Sequence, residues 1–81
     1  MPTASDIESF CRSRLAAMLD IDEAGIGFET TFASLGLDSA AAVHFVLEAE
    51  QEYGVELYPG VTQDHPSVAR FAEYLSSLKQ I

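Results

Sequence analysis

Three stretches of this chain repeat their apolar residues every three or four positions, the period of helices that bury one face. In the first, Ile7, Phe10, Cys11, Leu15, Met18 and Leu19 form a stripe. It follows Ser5-Asp6-Ile7-Glu8, whose spacing is that of a capping box and predicts the helix start. The second helix is predicted from Ser39 to about Tyr53, stopped by Gly54. In the last, Val68, Phe71, Ala72, Leu75 and Leu78 give the buried stripe. Pro66 suits its first position, with Asp64 or His65 before it as a cap. Val61 to His65 has room for one helical turn, Val55-Glu56-Leu57 reads as a short extended piece, and Tyr58-Pro59-Gly60 as a turn. With no convincing strand pair, the expected fold is all-α: three main helices and one minor turn in a small bundle.

The first two helices are separated by a long connection, Asp20 to Asp38. Inside a small domain such a loop is functional or pinned by its own side chains, and Ile26, Phe28, Phe32, Leu35 and Leu37 are available to pin it. Thr30 and Thr31 can cap a short turn across Phe32 to Leu35. The 81 residues are expected to make one domain over 1–81, without internal repeats. Thirteen acidic residues against four basic ones give a net charge of −9, and Arg12, Arg14, Arg70 and Lys79 are scattered. Such a surface repels nucleic acid and anionic membranes and favours partners with basic patches. The lone Cys11 cannot form an internal disulfide and reads as a buried small hydrophobe. With no transmembrane-length run and no leader-like start, a cytoplasmic protein is expected.

Chemistry concentrates in Gly36-Leu37-Asp38-Ser39-Ala40-Ala41-Ala42-Val43. Asp38 is placed to cap the second helix, and Ser39 falls at its first position, near the positive end of the helix dipole. That position suits a bound phosphate. Projected as a helix, Ala42, Phe45, Val46, Ala49 and Tyr53 share the core arc. Ala40, Val43 and Leu47 form a smaller arc on the other side of Ser39, either a docking patch or ordinary exposed apolar residues. His44, Glu48, Gln51 and Glu52 fill the polar side. Asp38, Ser39 and His44 have the residue types of a hydrolytic triad, but Ser39 and His44 project about 140° apart on one helix and cannot hydrogen-bond. Two histidines and one cysteine, widely separated, match no zinc spacing, and Asp20-Ile21-Asp22-Glu23 lacks a calcium-loop pattern. No catalytic residue or metal site is expected; His44 and His65 read as a surface residue and a cap-region residue.

Phe32-Ala33-Ser34-Leu35-Gly36-Leu37-Asp38-Ser39 resembles the phosphopantetheine attachment motif of acyl carrier proteins. Downstream, Val55-Glu56-Leu57 and Asp64-His65-Pro66-Ser67-Val68 resemble the third-helix region of polyketide synthase carrier domains, and the similarity spans essentially the whole chain. The resemblance implies a four-helix bundle of acyl-carrier type. It also implies a 4′-phosphopantetheine group on Ser39, transferred from coenzyme A by a Mg²⁺-dependent phosphopantetheinyl transferase. By the same resemblance Asp38 is both cap and transferase contact. Ala40, Val43, His44, Leu47, Glu48 and Gln63 lie where family members meet partners: the transferase, acyl-loading enzymes, and ketosynthase- or acyltransferase-type enzymes. The protein is expected to be a monomer that catalyses nothing itself.

Three positions depart from the family pattern. Ala40 stands where leucine is common, His44 where an acidic residue is frequent, and Gln63 replaces an apolar residue before Asp-His-Pro. These bear on which partners bind rather than on the attachment site. Asp before the serine favours an acyl carrier of polyketide type. The alternatives are a peptidyl, aminoacyl or D-alanyl carrier, or an unmodified helical interaction domain. The start at Met1 and the end soon after the last helix fit a free-standing carrier; an excised synthase domain would look similar.

Overall fold

Phe32, Phe45 and Phe71 come from three separate segments and meet ring to ring, with centroids 5.6, 5.8 and 5.1 Å apart. Around them a computed structural model, which describes residues 3–78, arranges four α-helices. They are α1 (Ala4–Leu19), α2 (Ser39–Tyr53), the one-turn α3 (Val61–Asp64) and α4 (Val68–Ser77), with a 3₁₀ turn at Glu23–Gly25. The all-α fold expected from the periodicity is therefore the one observed. Pairing of β type is limited, among the described residues, to one antiparallel bridge between Thr31 and Ser67. The ends of the expected 1–81 domain, residues 1–2 and 79–81, lie outside the described residues.

α1 packs chiefly against α4. Ile7, Cys11 and Leu15 from α1 join Phe45, Ala49, Val61, Val68, Phe71, Ala72 and Leu75 in one buried cluster. Each large side chain buried this way stabilises the fold by about 1.5–3 kcal/mol, so no single helix is expected to stand alone. Cys11 is wholly buried, as its place in the stripe implied. Burial, helped by the charge of Glu8, pushes its thiol up to about 12. Leu78, assigned to the α4 stripe, is instead the half-buried residue that ends the helix.

Two helix starts differ from the sequence expectation. α1 begins one residue after Thr3, not behind Ser5. Thr3 Oγ1 accepts the Asp6 N–H at 3.2 Å and the Asp6 carboxylate accepts the Thr3 N–H at 3.1 Å. This Thr-x-x-Asp box carries the same reciprocal bonds as Ser-x-x-Glu, and it wins because an earlier start adds helical hydrogen bonds. α4 begins at Val68 with Ser67 as its cap, the Ser67 hydroxyl accepting the Arg70 N–H. Pro66 therefore stands outside the helix, and neither Asp64 nor His65 caps it: Asp64 belongs to α3, and His65 terminates that helix.

The connection from 20 to 38 is pinned, though not by every residue expected to do so. Ile26 and Phe32 are buried, and Leu35 and Leu37 are half-buried. Phe28 is 55% exposed, and the Arg12 guanidinium lies 5.7 Å from its ring centre. Backbone bonds do the remaining work: Phe32 N–H to Pro66 O, Val68 N–H to Thr30 O and Ala69 N–H to Phe28 O tie the loop to the start of α4. Thr31 caps the following turn through the Ser34 N–H, while Thr30 accepts the Gly27 N–H. Arg12 Nε donates to Ile26 O at 2.7 Å, fastening the loop to α1.

Candidate functional site

The turn into α2 is set by Gly36, whose φ of +74° lies in the left-handed region where a side chain is strained. From there Leu37 N–H donates back to Phe32 O, so the motif residues lead directly off a core phenylalanine. Asp38 takes an extended conformation, and its Oδ1 accepts the Ala41 N–H at 2.8 Å. Its carbonyl accepts the Ala42 N–H at 2.8 Å. The cap is thus made entirely by Asp38. The Ser39 hydroxyl takes no part in it and stands exposed at the first position of the helix. At the other end Gly54 closes α2 with φ +63°.

Ser39 sits on the ridge between two grooves. One, of about 310 Å³, is lined by Val43, Val46, Leu47, Leu57, Glu50 and residues of α3. The other, of about 350 Å³, runs past Phe32, Ala33, Leu37, Asp38 and Pro66. Ser39, Ala42, Thr62 and Gln63 border both. The floor of the first groove is fixed by Glu50, whose carboxylate accepts the Leu57 N–H at 2.7 Å. This bond, rather than a strand, organises the Val55-Glu56-Leu57 segment.

Of the residues singled out from the sequence, Asp38, Ser39, Val43, Leu47 and Gln63 line these grooves, whereas Ala40, His44 and Glu48 do not. Ala40 is exposed, Val43 is 60% and Leu47 49% exposed, and Gln63 is exposed on the groove wall. The smaller apolar arc therefore does not pack against the loop. His44 is exposed beside them, its Nε2 3.6 Å from Glu48 Oε1. Glu48 is tied to the other helix: Arg14 Nη2 and Nε of α1 donate to its two oxygens at 2.7 and 3.0 Å. Those bonds hold the Glu48 carboxyl below the usual carboxylate range. Reading the four basic residues as scattered missed this pair, because Arg14 and Glu48 are 34 positions apart and share no local pattern.

Among the described residues, no group of three or more His, Cys, Asp or Glu side chains is placed to hold a metal ion, and no helix is long and apolar enough to cross a membrane. A serine hydroxyl left free by its neighbour's cap, at a helix start and between two grooves, fits a covalently anchored group with a phosphate at its root. The family model described as the phosphopantetheine attachment site matches residues 12–75.

The chain belongs to the phosphopantetheine attachment family.

Members carry phosphopantetheine covalently, and carrier domains of this kind are generally non-catalytic. The carrier is 38% identical over 72 residues to a phenolphthiocerol/phthiocerol polyketide synthase polypeptide of Mycobacterium tuberculosis, covering 89% of this chain. It spans only 4% of that polypeptide's length. It is 28% identical to the acyl carrier protein TtuC of Teredinibacter turnerae, covering 93% of this chain and 86% of that one. Among solved structures, a free-standing peptidyl carrier protein from a secondary metabolic pathway of Acinetobacter baumannii superposes with a TM-score of 0.87 at 28% identity, over 93% and 94% of the two chains.

Proposed function

We propose that this carrier, over residues 1–81 as one domain, holds acyl intermediates of polyketide or related secondary-metabolite synthesis on a 4′-phosphopantetheine arm anchored at Ser39. The observation that carries the reading is the exposed Ser39 hydroxyl, which Asp38 leaves uncommitted while capping the helix itself. The arm, once attached, supplies a terminal thiol that bears acyl groups as thioesters. The chain's own residues do the rest. The first turn of α2 faces the phosphodiester with its positive dipole end, although the Asp38 carboxylate opposes part of that gain. Ala40, Val43 and Leu47 offer partners a small apolar contact, with His44, Glu48 and Gln63 at its edge. The acidic surface steers brief encounters with basic-faced enzymes: the phosphopantetheinyl transferase, loading enzymes, and ketosynthase- or acyltransferase-type partners. A tether at Ser39 raises the effective concentration of cargo at whichever active site it reaches. We place the carrier in the cytoplasm as a monomer.

A second reading, a peptidyl carrier, is favoured by the close superposition with the Acinetobacter peptidyl carrier. Intact mass after incubation with coenzyme A, Mg²⁺ and a broad-specificity phosphopantetheinyl transferase tests what both readings share. One added phosphopantetheine is expected on the wild type and none on Ser39→Ala. No addition to a folded wild type, with two transferases tried, would overturn the carrier reading. Loading the modified protein with acyl-transferring or aminoacyl-transferring enzymes then separates the two.

A further inference from the structure

α3 is the least supported helix of the bundle. It has four residues, Gly60 before it gives no side-chain cap, and Val61 is its one buried residue. So short a helix does not persist on its own hydrogen bonds. A cluster of rings holds its outer side. His65, at its C-terminus, stacks on Tyr74 of α4, with centroids 4.3 Å apart and planes 18° from parallel. Tyr58, just before α3, meets the same Tyr74 edge-on at 6.0 Å. The Tyr58 hydroxyl then donates across the turn to Asp64 Oδ2 at 2.9 Å. That bond also raises the phenol's pKa above its usual value. Tyr74 is therefore gripped from both sides of α3. Within α3, Val61 enters the core, Asp64 takes the Tyr58 bond, and Thr62 and Gln63 wall both grooves beside Ser39.

We propose that Tyr58, Asp64, His65 and Tyr74 form a latch that holds α3 against α4, and that its release swings Thr62 and Gln63 away from Ser39 so that both grooves widen together. The coupling follows from the shared walls: Thr62 and Gln63 face Ser39 and Ala42 in both grooves, so a motion that carries α3 away from Ser39 opens the two together. Val61 remains the pivot, since it is anchored among the core residues while the ring cluster lies nearer the surface. Only the purpose of the opening rests on Ser39 being the anchor; the latch itself does not.

The test uses the unmodified chain, without coenzyme A or transferase, so its failure is distinct from failure of the carrier reading. Amide hydrogen exchange is followed at Gln63 and Asp64, bonded to Gly60 O, and at His65, bonded to Val61 O. In Tyr74→Leu these three amides should exchange about three- to tenfold faster, the loss expected for removed aromatic pairs, with α1 and α2 amides unchanged. Tyr58→Phe keeps the ring and loses only the hydroxyl bond; it should give a smaller change at the same three amides, and it decides the matter should Tyr74→Leu fail to fold. A nitroxide on Gln63→Cys reports the wall position, since buried Cys11 is not labelled. Its relaxation effect should weaken in Tyr74→Leu at both the Val43 and Ala33 methyls, one in each groove. Unchanged α3 amides, an equal acceleration of every amide, or weakening at one methyl alone would overturn the proposal.

Discussion

A thiol that ordinarily titrates at 9.0 and is pushed to about 12 makes Cys11 a sensor of whether the chain is folded. Below pH 9.0 the thiol is protonated in both states and its burial contributes in full. Above that, the unfolded chain releases the proton and the folded one does not, so stability falls as pH rises through the interval between the two values. The slope approaches about 1.4 kcal/mol per pH unit for one proton. Tyr53, also raised to about 12 by burial, adds a decline of the same sign above its ordinary 10.0. Denaturant titrations at intervals from neutral to alkaline pH should show this decline, and Cys11→Ala should lower the starting stability while flattening the slope between the thiol's and the phenol's ordinary values. An unchanged slope would mean that Cys11 is reached by water in the folded state. Asp38 and Ser39 are legible from the sequence because a cap acts within three residues. Arg12 and Arg14 are not, because their acceptors on Ile26 and Glu48 are distant in the chain.

Helices α1 and α2 meet through the edge-on pair of Phe10 and Tyr53, with ring centroids 5.3 Å apart, and through a two-bond ion pair, while α1 leans mainly on α4. Arg14 is 40% and Glu48 23% exposed in their side chains, so solvent screens the attraction. A double-mutant cycle with Arg14→Met and Glu48→Gln is expected to give a small stabilising coupling, read from denaturation midpoints and slopes. A coupling near zero would leave the pair as mere surface geometry. The same scale explains what periodicity could and could not give. The three long helices, the single turn at Val61 and the stop at Gly54 all follow from residues a few positions apart. Their exact starts do not, since Thr3 and Ser5, or Ser67 and Asp64, are rival caps of similar chemistry; added helical bonds decide at α1, and tertiary bonds such as Phe32 to Pro66 at α4. Phe28 misleads for the same reason: nothing local says that Arg12 will cover its ring while the side chain stays in water.

For the molecule as a whole, the net charge of −9 is an internal strain as well as a steering field. Two of the four basic side chains, Arg12 and Arg14, are committed to α1's contacts with the loop and with α2, and the 13 acidic residues far outnumber the cations that remain. Added salt should therefore raise the denaturation midpoint at neutral pH by screening self-repulsion. A midpoint that falls with salt would instead mean that local pairs such as Arg14–Glu48 outweigh the general repulsion. The ties between residues 28–32 and 66–69 carry a different consequence, one of timing. A chain leaving the ribosome exposes Ser39 and α2 before α4 has emerged to pack on them. Until α4 arrives, the segment leading into Ser39 has no partner for its backbone and no Phe71 for its Phe32. Contacts of such long sequence separation form late, so the serine should acquire its fixed setting only when the last helix docks, and a chain truncated before α4 would present it on a loose thread.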